Sequence, residues 1–155
     1  MYDPGGKSEP AGPMPPSVHS PLRLQPDLAQ LPNLVEFIED FCLRHDLGPA
    51  DTNAFTLAAE ELFANTIHHS QPLANSVEFS LVINEQTITA VYSDDAAPFD
   101  PTALPEVDTT RPLDQRTIGG LGVHFIRRTM PTFLYQRRDG RNVITFGRPL
   151  TPTKT

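Results

Sequence analysis

Apolar residues fall along the chain in stretches of different period. Leu28, Leu31, Leu34, Val35, Ile38, Phe41 and Cys42 recur at three- and four-residue intervals, which is the spacing of one helix face. This predicts a helix from about Pro26 to His45, with Pro32 inside its first turns or at a break before the main body. "DLGP" ends it, and Asp51 or Thr52 is placed to cap a second helix running to about Ser70. The period then drops to two. "SVEFSLVIN" and "TITAVYSD" alternate on either side of a short polar turn, as the strands of an antiparallel hairpin do, and "LRLQ" further upstream can start an edge strand. Between 96 and 118 no period is visible; Pro98, Pro101, Pro105 and Pro112 punctuate a polar segment, and loops of this length in compact domains are usually functional or mobile. A third helix opens at the glycines of "TIGGLGVHFIRRTM" and reaches about Met130. "TFLYQRRDGRNVITFGR" closes the pattern with two strands around Asp139-Gly140, a strong hairpin signal. The sum is an α/β fold: a two-layer sandwich of a mostly antiparallel or mixed sheet with about three helices on one face.

Composition narrows this to one domain of 155 residues with flexible ends. Residues 1–21 hold six of the seventeen prolines, with Gly and Ser between them, and offer too little apolar surface to offset ordering. The expected organisation is therefore a disordered Pro-rich tail over 1–21, a folded domain over 22–150 and a short tail over 151–155. Twelve basic against nineteen acidic residues give a formal charge of −7, and no basic run occurs, which argues against direct nucleic-acid binding. No apolar stretch approaches a membrane span and no signal-peptide segment opens the chain, so a cytoplasmic location without membrane association is expected. The single cysteine, Cys42, sits within the apolar pattern of the first helix and reads as a core residue rather than a nucleophile.

Chemistry concentrates at three places. On the second helix, Glu61 and Asn65 are four residues apart and share a face, with His69 beyond them and the small Ala54 and Ala58 before them. A carboxylate and an amide beside small residues leave room for a ligand. In "VYSDDAAPFDP" an Asp ends a strand and small residues follow; Asp94 and Asp95, as strand neighbours, point to opposite faces and do not form a metal pair. The third place is the run Gly119, Gly120, Leu121, Gly122, Val123, where a helix begins on three glycines. Glycine is poor inside helices, so the cluster makes sense where backbone must approach a ligand and free N–H groups meet negative charge.

In this order, E-x-x-x-N on a helix, a strand ending in Asp, a long loop and G-G-L-G-V at a helix start, the sequence resembles the GHKL ATPase superfamily. More narrowly it is similar to the anti-sigma-factor serine/threonine kinases, the RsbW-like branch, over roughly residues 22–148. "AAEELFANTIHHS", "VYSDDAAPFDP" and "IGGLGVHFIRRTMPTFLYQRRDGRNVITF" carry the likeness.

The resemblance implies a Bergerat-type ATPase fold with ATP and Mg²⁺ as cofactors. Glu61 would be the general base, Asn65 the Mg²⁺ ligand, and Asp94 the acceptor for adenine's exocyclic amine. Ala96 would lie in the adenine loop, and Gly119, Gly120, Leu121, Gly122 and Val123 would form the phosphate-binding backbone. Segment 100–118 would be a lid, with Arg116 as a phosphate contact. The implied function is that of a serine kinase in a partner switch: it sequesters a sigma factor or other regulator in one state and phosphorylates an anti-sigma-factor antagonist in the other, as a homodimer. The alternative is a nucleotide-binding module without phosphoryl transfer. The family usually has Asp-x-Gly in the adenine loop where this chain has Ala96; if that position needs positive φ, Ala costs on the order of 1 kcal/mol.

Overall fold

The computed structural model describes residues 17–69, 74–106 and 120–152. The first apolar stretch divides at Pro32: a 3-10 turn over Leu28–Gln30, capped by the Asp27 carboxylate on Ala29 N–H at 2.9 Å, leads into α1, Leu31–Arg44. Proline is tolerated there because the first helical N–H groups have no intrahelical partner. Helix α1 stops at His45, and Asp46 takes φ +56° to redirect the chain. Helix α2, Pro49–His69, starts earlier than its capping residues predict. Asp51 and Thr52 therefore lie within its first turns. Thr52 Oγ1 donates to the Gly48 carbonyl at 3.1 Å, and Asp51 is buried and turned to the C-terminal end of the chain.

Among the described residues six strands form one sheet, antiparallel at every pairing. Strands β1 (Ser17–Val18) and β2 (Leu22–Leu24) lie along one edge of β3 (Val77–Asn84); β4 (Thr87–Asp94), β6 (Arg141–Pro149) and β5 (Thr132–Arg138) follow in that order. The β5–β6 turn places Asp139 at φ +51° and Gly140 at φ +74°, the mirror-image turn that the Asp-Gly pair favours. Period-two alternation aims Val77, Phe79 and Leu81 of β3, Ile88, Ala90 and Tyr92 of β4, and Ile144 and Phe146 of β6 into the core. Helices α1, α2 and α3 (Gly120–Thr129) supply Leu34, Ile38, Phe41, Phe55, Ala59, Leu62, Phe63 and Ile126 to the same core. Cys42 is 1% exposed among them, and burial pushes its thiol up, with Thr52 opposing.

The folded chain extends past both ends of the 22–150 span. Ser17 and Val18 pair with Ile83 and Val82, using the edge of β3 that β2 leaves open. His19 packs its ring against Phe41 and hydrogen-bonds His45 through Nε2 at 3.1 Å. At the other end Thr151 binds Asp51 through its N–H at 3.0 Å and its hydroxyl at 2.9 Å, and Arg148 adds an ion pair at 3.5 Å. A carboxylate with no exposed surface needs such partners, so the residue after 150 belongs to the fold.

Candidate active site

The stripe of α2 that carries Glu61 and Asn65 faces the start of α3. A methyl group placed on Gly122 would overlap the carboxyl carbon, Cγ and Oε2 of Glu61. Bare backbone at Gly122 lets the first turn of α3 lie against the glutamate in this rotamer; a side chain there would make Glu61 move aside. The first four N–H groups of any helix lack intrahelical acceptors, so the carboxylate sits beside a backbone surface suited to anions. Among the described residues, Glu61 Oε1 and Asn65 Nδ2 are buried with no hydrogen-bond partner. Burial pushes the Glu61 carboxyl above its usual range; the neighbouring Asn65 amide, which closes no hydrogen bond to it by distance and angle, and the His68 charge offset part of this. Two unmet polar atoms one helical turn apart are costly unless a ligand completes them.

The second cluster lies further along α2, where β4 ends. Asp94 is 5% exposed. Its Oδ2 accepts from Thr66 Oγ1 at 2.7 Å, and its Oδ1 from Asn142 Nδ2 at 2.8 Å and from Ala96 N–H at 3.2 Å. Thr66 Oγ1 is also 2.6 Å from the Tyr92 hydroxyl. Burial pushes the Tyr92 phenol far up, so it stays protonated. It donates to Thr66, whose own proton goes to Asp94. Asp95 points the other way and accepts from Asn75 N–H at 2.7 Å and Ser76 N–H at 3.0 Å. Burial alone would raise its carboxyl, but those N–H groups and Arg141 outweigh it and hold it below the usual value. The adjacent carboxylates therefore do separate jobs, Asp94 joining α2, β4 and β6 and Asp95 anchoring the start of β3.

Loops and helix ends join the two clusters. His69 stacks on Phe99 with ring centroids 5.1 Å apart and planes 11° from parallel, which ties the end of α2 to the loop after Asp94. Arg127 of α3 donates to the carbonyls of Thr102, at 2.9 Å, and Leu104, fixing the first residues of the segment expected to be the lid. A family model described as histidine kinase-like ATPase domain matches residues 24–148. The chain belongs to this family. It is also similar to the serine/threonine-protein kinase BtrW of Bordetella bronchiseptica, 28% identical over 111 residues that span 70% of this chain and 78% of that one.

Membership of the histidine kinase-like ATPase domain family implies that the chain binds ATP. The residues present fit a nucleotide: a buried carboxylate at one end, and orphaned polar atoms against glycine backbone at the other. Glu61, Asn65, Asp94, Ala96 and Gly122 lie on the elements that meet here. At the start of α3 the Val123 side chain is buried, leaving only its backbone to a ligand, while Leu121 is 46% exposed. Gly120 is the first residue of α3; Gly119 and Arg116 lie outside the described residues. Ala96 needs no positive φ, since among the described non-glycine residues only Asp46, Glu85 and Asp139 have one. The backbone penalty expected for Ala at this position is absent. Thr66, Tyr92, Asn142 and Tyr135 were not legible as site residues, because each acts through a partner distant in sequence. The one available signal was that an Asn follows the Asp-Gly turn on the strand paired with β4.

Proposed function

We propose that this ATPase domain is a protein serine/threonine kinase that uses Mg·ATP to phosphorylate a serine of an anti-sigma-factor antagonist, and in its other state sequesters a sigma factor or other regulator. The observation that carries this reading is the Glu61 carboxylate, half-buried with an unpartnered oxygen and lying against Gly122. A site that only held nucleotide would gain nothing from a desolvated base beside the phosphate-binding backbone. With Glu61 deprotonated, it takes the proton of the serine hydroxyl as the serine oxygen forms its bond to the γ-phosphorus. The bond to the β,γ-bridging oxygen breaks and ADP leaves. The free N–H groups at the start of α3 hold the phosphates, Asp94 receives the adenine amine, and Asn65 holds Mg²⁺ through its amide oxygen, a hard donor suited to that ion. The metal supplies positive charge that neutralises the phosphate oxygens in a chain of formal charge −7. A cytoplasmic location and a homodimer fit the same reading.

The test incubates the protein with Mg·ATP and candidate antagonist proteins and follows their mass. The wild type is expected to add one phosphate to serine, and Glu61→Gln to slow transfer by about 10²-fold or more while binding ATP within a few-fold. A wild type that binds ATP and antagonist but transfers nothing leaves a binding module instead. Equal rates for both proteins would remove Glu61 as the base.

A further inference from the structure

Asn142 is 2% exposed, pairs across the sheet with Asp94, and uses its whole amide. Its Oδ1 accepts from the Phe99 N–H at 3.1 Å and the Tyr135 hydroxyl at 2.7 Å. Its Nδ2 donates to Asp94 Oδ1 at 2.8 Å and to the Ala97 carbonyl at 2.9 Å. The backbone partners fix which end is which. A backbone N–H can only donate and a carbonyl can only accept, so the amide cannot flip without losing both. Asp94 therefore faces a permanent N–H donor.

The consequence lies in how many acceptor positions Asp94 has left. A carboxylate offers about four lone-pair positions, two on each oxygen. Asn142 and the Ala96 N–H occupy both on Oδ1, and Thr66 occupies one on Oδ2. One position remains, on Oδ2. Adenine presents a single amine donor flanked by an acceptor nitrogen on its pairing edge. Guanine presents two adjacent donors, N1–H and the N2 amine, which match both oxygens of a free carboxylate at once. We propose that Asn142 is a specificity-determining positioning residue: by taking the position on Oδ1 that the Ala96 N–H leaves, it reduces Asp94 to a one-donor site, which accepts adenine and rejects guanine. This rests on Asp94 being the base-binding carboxylate of the proposed kinase site. It adds that base selection comes from the residue that blocks half of that carboxylate.

The experiment measures ADP and GDP affinity by calorimetry for wild type, Asn142→Ala and the near-isosteric Asn142→Leu. Wild type binds ADP more tightly than GDP. Both variants free one position on Oδ1, the other staying with the Ala96 N–H, and the ADP:GDP preference is expected to narrow by about tenfold or more, the scale of one charge-assisted hydrogen bond. An Asn142 that only braced the loop would weaken both nucleotides by one factor, and an unchanged ratio overturns the inference. Should neither variant melt cooperatively, the wild type decides by NMR. The Asn142 side-chain amide is expected to keep its hydrogen-exchange protection when ADP saturates the site, and its loss would show that the base displaces the amide. A wild type that binds neither nucleotide overturns the site itself; one that binds ADP with an unchanged ratio in the variants overturns the Asn142 assignment alone.

Discussion

Glu61 concentrates the conflict between stability and chemistry in a single side chain. Burial raises its carboxyl above the usual range, with Asn65 and His68 pulling back. A base works only when deprotonated, so kcat/KM for transfer should rise with pH through an acid limb placed above the ordinary glutamate value of about 4.3, and that limb should vanish in Glu61→Gln. The same shift has a stability consequence. A carboxyl whose folded pKa lies above its unfolded one binds its proton more tightly in the folded state, so its favourable contribution is present below the unfolded pKa and is lost as pH rises through the folded pKa. Glu61→Gln should therefore raise the thermal midpoint at neutral pH, with the gain shrinking as pH falls towards 4; a midpoint lowered at pH 7 would contradict the buried, unpaired state. At this scale the sequence was informative where a residue acts through its own type and spacing. Glu61 and Asn65 share a stripe because four residues are one helical turn, and Asp94 ends a strand that alternates cleanly. Asn142 was silent, since its meaning depends on Asp94, 48 residues away, across a pairing that only folding creates.

The start of α3 shows what an element adds. The glycine run is legible as a backbone that approaches something, but what a side chain at Gly122 would meet is Glu61 of α2 itself. Gly122→Ala should push the Glu61 side chain aside, cutting phosphoryl transfer by at least about tenfold through the misplaced carboxylate. Gly140→Ala is the control. No atom lies within reach of its added methyl, but its φ of +74° disfavours a side chain. It should cost about 1 kcal/mol in a denaturant melt and leave transfer unchanged. If Gly122→Ala behaved like Gly140→Ala, the contact between α3 and Glu61 would have no functional weight. The β5–β6 turn was readable for a local reason: Asp-Gly alone supplies two residues that accept positive φ. The beginning of α2 was misread because Asp51, a good capping type, is held instead by Thr151 and Arg148, 100 and 97 positions further along.

That same carboxylate closes the whole molecule, tying the last described residues to the second helix. Asp51→Ala should cost about 1.5–3 kcal/mol, the range for hydrogen bonds to a charged group, seen as a lower denaturant midpoint with an unchanged m value. Deleting residues 151–155 should also destabilise, because the buried carboxylate keeps only Arg148; a deletion with no effect would return those residues to the status of a tail. The domain's architecture was legible throughout because hydrophobic period sets each layer. Its limits were not, since two-residue β1 and Thr151 are held by hydrogen bonds that leave no periodic trace. The central claim is the proposed site: ATP bound between Asp94 and the glycine start of α3, with Asn65 coupling it to Mg²⁺. Calorimetric titration of the wild type with ATP, with and without Mg²⁺, tests it most directly. The expected result is one saturable site that weakens sharply when Mg²⁺ is removed. Absence of any adenine-nucleotide binding at millimolar concentration would contradict it.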